Sequence, residues 1–159
     1  MQGLIKVILN LFSRKFLIKI SLILKPFFEL IFRGNRFVDP INNKSYSYFF
    51  PYGYNKLRKN ALSPGTLSLE RHRLLWIFLE KETDFFNTEN KILHIAPEQC
   101  FYKSFKKNFE SYTTCDLNSP IAEIRADVCN LPFNENEFDF VLCNHCLLYT
   151  SDAADDIPR

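Results

Sequence analysis

The spacing of apolar residues divides the chain into three stretches. In the first, Leu4, Ile5, Val7, Ile8, Leu9, Leu11 and Phe12 are followed by an apolar run over residues 16–32, yet lysine interrupts it every few residues and Pro26 breaks it. A membrane-spanning helix needs about 20 nearly uncharged residues, which this stretch does not offer. No small-residue cleavage site follows it, as a signal peptide would require. The pattern predicts an amphipathic, basic helical arm over residues 1–33. Two readings of the arm stay open: a helix lying in a membrane interface with its lysines reaching toward headgroups, and a helix packed on the body of the protein.

The second stretch, residues 34–67, is polar and aromatic. Asp39-Pro40, Asn42-Asn43, Pro51-Tyr52-Gly53 and Ser63-Pro64-Gly65 punctuate it as turns, which predicts a small irregular module. Ser68 then stands where a helix cap should, and Leu69 to Glu82 reads as a helix whose apolar side is Leu74, Leu75, Ile77, Phe78 and Leu79. From Lys91 onward the third pattern begins. Short apolar runs at Ile92–Ala96, Tyr112–Cys115, Glu123–Ala126 and Phe138–Asn144 alternate with turns and one amphipathic helix over Gln99–Asn108. Runs this short and this uniformly apolar predict an α/β fold with a parallel sheet.

Composition narrows the class. With 47% hydrophobic and 16% aromatic residues in 159, the chain is globular in character, and a net charge of +2 gives no excess that argues for a nucleic-acid partner. The charge is uneven, however. From Met1 to Arg36 the one acid is Glu29, against Lys6, Arg14, Lys15, Lys19, Lys25, Arg33 and Arg36. The five cysteines, Cys100, Cys115, Cys129, Cys143 and Cys146, are odd in number and sit mostly in apolar runs. That suits buried thiols in a reducing compartment, and the expected location is cytoplasmic, with a peripheral place on the inner membrane face if the arm is interfacial.

In a doubly wound sheet ligands gather at the carboxyl ends of the strands. Three such ends carry candidate chemistry: His94 to Gln99, Cys115 to Asn118, and Ala126 to Cys129. An acid at the end of the second strand, about twenty residues after the first turn, is placed to accept both hydroxyls of an adenosine ribose, and Asp116 fits. An acid after the third strand can accept from the adenine amine while a neighbouring aliphatic covers the ring face, and Asp127 and Val128 fit. Aspartate at a strand end is more often a turn residue, but the two at this spacing favour an adenosine ligand. No paired carboxylate, Ser/His/Asp set or phosphate loop suggests another reaction.

Several runs in order carry a resemblance. Ser68-Leu69-Glu70-Arg71-His72-Arg73-Leu74-Leu75-Trp76, Leu93-His94-Ile95-Ala96-Pro97-Glu98, Asp116-Leu117-Asn118-Ser119-Pro120, Leu131-Pro132-Phe133 and Phe138 to His145 resemble bacterial class I methyltransferases of the type 11 kind, over roughly Arg33 to His145. The resemblance implies a Rossmann-like fold, S-adenosyl-L-methionine as methyl donor, and an acceptor not identified by the motifs. It implies a cofactor-binding set of His94, Ala96, Pro97, Glu98, Asp116, Leu117, Asp127, Val128 and Asn144, and it singles out no catalytic residue.

Two departures from the family pattern stand out. The usual glycine-rich turn after the first strand is replaced by His94 and Ala96-Pro97-Glu98, which also counts against a nicotinamide dehydrogenase. Relatives often carry two cysteine pairs resembling a zinc ribbon around residues 34–66. Here Val38-Asp39-Pro40-Ile41-Asn42 and Leu62-Ser63-Pro64-Gly65 stand in their place, so no metal is expected in this module, and the lone Cys143/Cys146 pair is a weak metal or redox signal. The cluster Glu70, Arg71, His72 and Arg73 reads either as a solvated first helical turn or as part of an acceptor pocket. His145 reads either as a structural histidine or as a neighbour of the transferred methyl.

After His145 the composition changes: lysine, asparagine and phenylalanine vanish and alanine and aspartate replace them, so residues 146–159 read as a foreign tail. On that reading residues 68–145 are the front part of the cofactor-binding domain, an incomplete sheet with one open edge, and the chain alone is expected to be marginally stable and inactive. The competing reading is a non-catalytic nucleotide-binding or membrane-associated interaction module.

Overall fold

The computed structural model describes residues 24, 26–53 and 56–144. The arm before residue 24, His145, Cys146 and the altered tail lie outside the described residues. The chain forms two compact units that divide after Leu75.

The first unit begins with helical residues 24 and 26–31 (α1). Strand β1 (Arg33–Asp39) pairs antiparallel with β2 (Lys44–Tyr46), and β3 (Phe50–Tyr52) with β4 (Arg58–Leu62). The stretch expected to be irregular is therefore built of two hairpins. Side chains fold the first turn locally: Asp39 Oδ1 accepts the Ile41 amide at 3.0 Å and Asn42 Oδ1 the Lys44 amide at 3.1 Å.

A buried polar knot joins the segments at residues 39–42 and 63–68. Asp39, Ser63 and Ser68 are fully buried. Thr66 Oγ1 donates to Asp39 Oδ2 at 2.5 Å, and Ser68 Oγ lies 2.7 Å from Thr66 Oγ1 and 3.4 Å from Asp39 Oδ2. Asn42 Nδ2 donates to the Tyr46 hydroxyl at 2.9 Å. A Cβ on Gly65 would fall 1.8 Å from that hydroxyl oxygen, so no side chain fits there. Oxygen-to-oxygen hydrogen bonds thus tie these two segments to each other.

Helix α2 (Glu70–Glu82) corrects two expectations. Ser68 does not cap it, because its hydroxyl is spent in the Asp39 knot; the Leu69 amide donates instead to His72 Nδ1 at 3.1 Å. The buried side is His72, Trp76 and Leu79, while Leu74, Ile77 and Phe78 are exposed. With apolar residues at every position from 74 to 79, sequence periodicity could not choose the face.

In the second unit β5 (Ile92–Ile95), β6 (Tyr112–Cys115) and β7 (Phe140–Cys143) form one parallel sheet in the order β6-β5-β7. Ile95 is in register with Cys115 on one side and Cys143 on the other. The run Glu123–Ala126, expected to be a strand, is reduced to one parallel bridge between Ile124 and Cys115. The amides of Glu123 and Ile124 both converge on the Thr114 carbonyl, and Asp127 already pairs back to Asn130, so the chain turns before a ladder can grow. Counting that bridge, the lateral order in chain sequence is third, second, first, fourth, the partial α/β arrangement of a doubly wound sheet.

All four β5 residues are buried, which fits a central strand covered on both faces. Period-two alternation sends His94 and Tyr112 toward helix α3 (Gln99–Asn108), whose Phe101 and Phe105 are fully buried. Trp76 stacks on Phe105 at 5.7 Å between ring centroids, and Phe85 meets Phe109 edge-on at 5.2 Å. Leu93, Ile95 and Cys115 form the opposite face, against which Ile124, Val128, Leu131, Phe133 and Phe138 pack.

Replacing Asp39 by alanine leaves the Ile41 amide and one hydroxyl of the Thr66–Ser68 pair buried without an acceptor. At about 1–3 kcal/mol for each orphaned group, Asp39→Ala should lower the unfolding free energy by roughly 2–6 kcal/mol in urea titrations, with Asp39→Asn costing less because an amide oxygen remains.

Candidate functional site

Parallel strands place every carboxyl end on the same rim. Four segments meet that rim: Ala96–Gln99 after β5, Asp116–Ser119 after β6, Ile124–Asp127 after the bridge, and Asn144 after β7.

Ala96 leaves the sheet at once. Its φ is +50°, and its amide donates to the Cys115 carbonyl at 2.9 Å. A left-handed φ favours glycine and is uncommon for alanine; the turn thus keeps a glycine-like backbone without a glycine. Pro97 is buried behind it. Glu98 precedes α3 with extended dihedrals, and its carbonyl accepts the amides of Phe101 and Tyr102, each at 3.1 Å.

The Glu98 side chain makes no cap bond with its own helix. It turns back instead, with Oε2 2.7 Å from His94 Nε2, and His94 Nδ1 lies 2.8 Å from the Tyr112 hydroxyl. The tautomer follows from the partners. A carboxylate oxygen only accepts, so Nε2 carries a proton toward it, and in that tautomer of the neutral ring Nδ1 is the acceptor for Tyr112. Burial, and then the Glu98 charge, push the Tyr112 phenol above its ordinary pKa, so it stays protonated and donates. His94 is fully buried with both nitrogens engaged. Its two ring bonds position Glu98. Glu98 Oε1 and Gln99 Nε2 are buried atoms with no hydrogen-bond partner, one an acceptor and one a donor, in consecutive residues at the rim.

Asp116 is partly buried. Its Oδ1 accepts the amides of Asn118 at 2.7 Å and Ser119 at 2.5 Å, which folds the loop. Burial, and then the Asp116 charge, push the adjacent Cys115 thiol up. Leu117 is half exposed. Asp127 is exposed, with Oδ1 accepting the Cys129 amide at 3.0 Å, so both aspartates are turn formers as well as rim acids. Val128 is only partly available to cover a ring, because it packs against the Leu93, Ile95 and Cys115 face. Asn144 is partly buried at the end of β7.

Residues 88–157 match the methyltransferase domain family. The chain is class I methyltransferase-like. The matched segment contains β5, α3, β6, the Ile124 bridge and β7, so all the rim residues fall within the methyltransferase-like part. Methyltransferase domains of this family generally bind S-adenosylmethionine. Comparison with curated proteins and with solved structures finds no match.

The helix-start cluster has other duties in the first unit. Glu70 pairs with Arg58, whose Nε lies 3.1 Å from Oε1. Arg73 Nη1 donates to the carbonyls of Ser68 at 2.7 Å and Ala61 at 3.1 Å, and its guanidinium lies 4.7 Å from the Phe49 ring centroid. Among the described residues no cluster of His, Cys, Asp and Glu could hold a metal ion. Tyr112 was missed in the sequence, and Gln99 was included in the His94 to Gln99 run without a role of its own. The available signal for Tyr112 was parity: two residues before Thr114, the in-register partner of His94, it shares the histidine's face.

Tyr112→Phe removes the donor to His94 Nδ1 and leaves a buried acceptor alone, which should cost about 1–3 kcal/mol. His94→Phe should cost more, because it strands the Glu98 carboxylate. Urea unfolding of both variants checks the order.

Proposed function

We propose that the carboxyl rim of the parallel sheet binds S-adenosyl-L-methionine and that the protein transfers its methyl group to an acceptor. The observation that carries this reading is the pair of buried, unpartnered polar atoms, Glu98 Oε1 and Gln99 Nε2, at the turn where Ala96 adopts a left-handed backbone. Unsatisfied buried polar atoms are costly, and a ligand carrying both an ammonium and a carboxylate, as the methionine part of the cofactor does, satisfies an acceptor beside a donor. Asp116 supports the same fit. Its Oδ2 has two lone pairs for the ribose hydroxyls, while Oδ1 holds the loop.

When bound, the cofactor supplies an electrophilic methyl group. The chain's own residues orient it. His94, held by Tyr112, fixes the Glu98 carboxylate; Asp116 fixes the sugar; Asp127 accepts from the adenine amine at the neighbouring loop. Alignment of donor and acceptor supplies much of the rate when the acceptor is already nucleophilic, so no side chain is assigned as acid or base.

Titration with S-adenosylhomocysteine tests the reading. The wild-type protein should bind, and Asp116→Ala should lose a charge-assisted contact of about 1.5–3 kcal/mol, roughly ten- to 150-fold in Kd. Asp116→Asn keeps the loop acceptor and should still weaken binding. Binding by Asp116→Asn equal to wild type would remove the ribose role, and no binding by the wild type would remove the cofactor.

A further inference from the structure

Helix α1 carries apolar side chains on two sides. Phe28 and Phe32 turn inward, with ring centroids 5.5 and 4.9 Å from that of Phe50. Leu24, Phe27, Leu30 and Ile31 remain 41, 64, 72 and 57% exposed. At 3.6 residues per turn these four fall within one arc of about 120° on the helix. Four large apolar side chains gathered on two turns are not the scattered exposure of an ordinary surface. Among the described residues nothing covers them.

The sequence up to Arg36 is charged almost entirely with one sign. Glu29, the single acid between Met1 and Arg36, is already neutralised by Lys44, whose Nζ lies 2.6 Å from its Oε2. Arg33 and Arg36 are exposed just beyond the helix, and the sequence up to Arg36 holds seven basic residues. A second copy of the chain is a poor occupant for two reasons. Even an aromatic side chain presents only about 150–250 Å², and Leu and Ile are smaller, so four partly exposed ones fall short of the about 800 Å² per partner that a stable interface needs. Two copies would also bring like charges together.

We propose that the Leu24, Phe27, Leu30 and Ile31 face of α1 docks into the interface of an anionic lipid bilayer, with the helix lying along the surface and the basic residues against the headgroups. No helix among the described residues is long and apolar enough to cross a membrane, and the contact proposed is a peripheral one. It is independent of the cofactor site.

Flotation of the full chain with vesicles in a density gradient tests this, since aggregates sink and vesicle-bound protein rises. The chain should float with phosphatidylcholine vesicles that contain phosphatidylserine, float less as salt rises, and stay down with phosphatidylcholine alone. The triple variant Phe27→Ser, Leu30→Ser, Ile31→Ser replaces only exposed positions and should float at least about tenfold less. Protein that stays down with both vesicles, whether as monomer, oligomer or aggregate, overturns the proposal. Equal flotation of the triple variant also overturns it, because charge alone would then account for binding.

Discussion

The parallel pairing of β5 with β6 on one side and β7 on the other is the constraint on which the candidate site depends. Because Ile95 is level with both Cys115 and Cys143, the segments that follow each strand emerge together on one rim. An antiparallel partner at either position would send Asp116 or Asn144 to the opposite edge. The bridge from Ile124 to Cys115 extends the same logic to Asp127 with a single pairing.

Each unit keeps a polar group in its interior by closing a hydrogen-bonded chain around it. In the first unit Asp39 receives the Thr66 hydroxyl and the Ile41 amide. In the second His94 sits between the Tyr112 phenol and the Glu98 carboxylate. Buried polar groups are tolerated when every member is satisfied. The first network is a structural tie between two turns. The second ends on an oxygen with no partner, Glu98 Oε1, and that difference separates a structural network from one aimed at a ligand.

The fold of the second unit was largely legible in the sequence because its strands are short and apolar on both faces and its helix is cleanly amphipathic; Gln99–Asn108 and Tyr112–Cys115 occur with the expected bounds. Asp116 and Asp127 were legible as strand-end acids, though their turn-forming bonds were weighed only as an alternative. The failures share a cause, which is that long-range partners decide what local pattern cannot. Ser68 has the residue type of a helix cap, but its hydroxyl finds Asp39, 29 residues earlier. Tyr112 drew no notice because the histidine it bonds, His94, lies 18 residues earlier. The hairpins in residues 33–62 escaped notice because their pairing is irregular, with a register shift in each, and their strands lack clean alternation.

Amide hydrogen exchange in the presence of S-adenosylhomocysteine tests the central claim most directly, because it reads the rim residue by residue. Protection should appear over residues 96–99 and 116–119, with weaker protection at 127–129 and none in the hairpins of residues 33–62. Unchanged exchange along the rim, or protection confined to the hairpins, would contradict a cofactor site at the carboxyl ends of these strands.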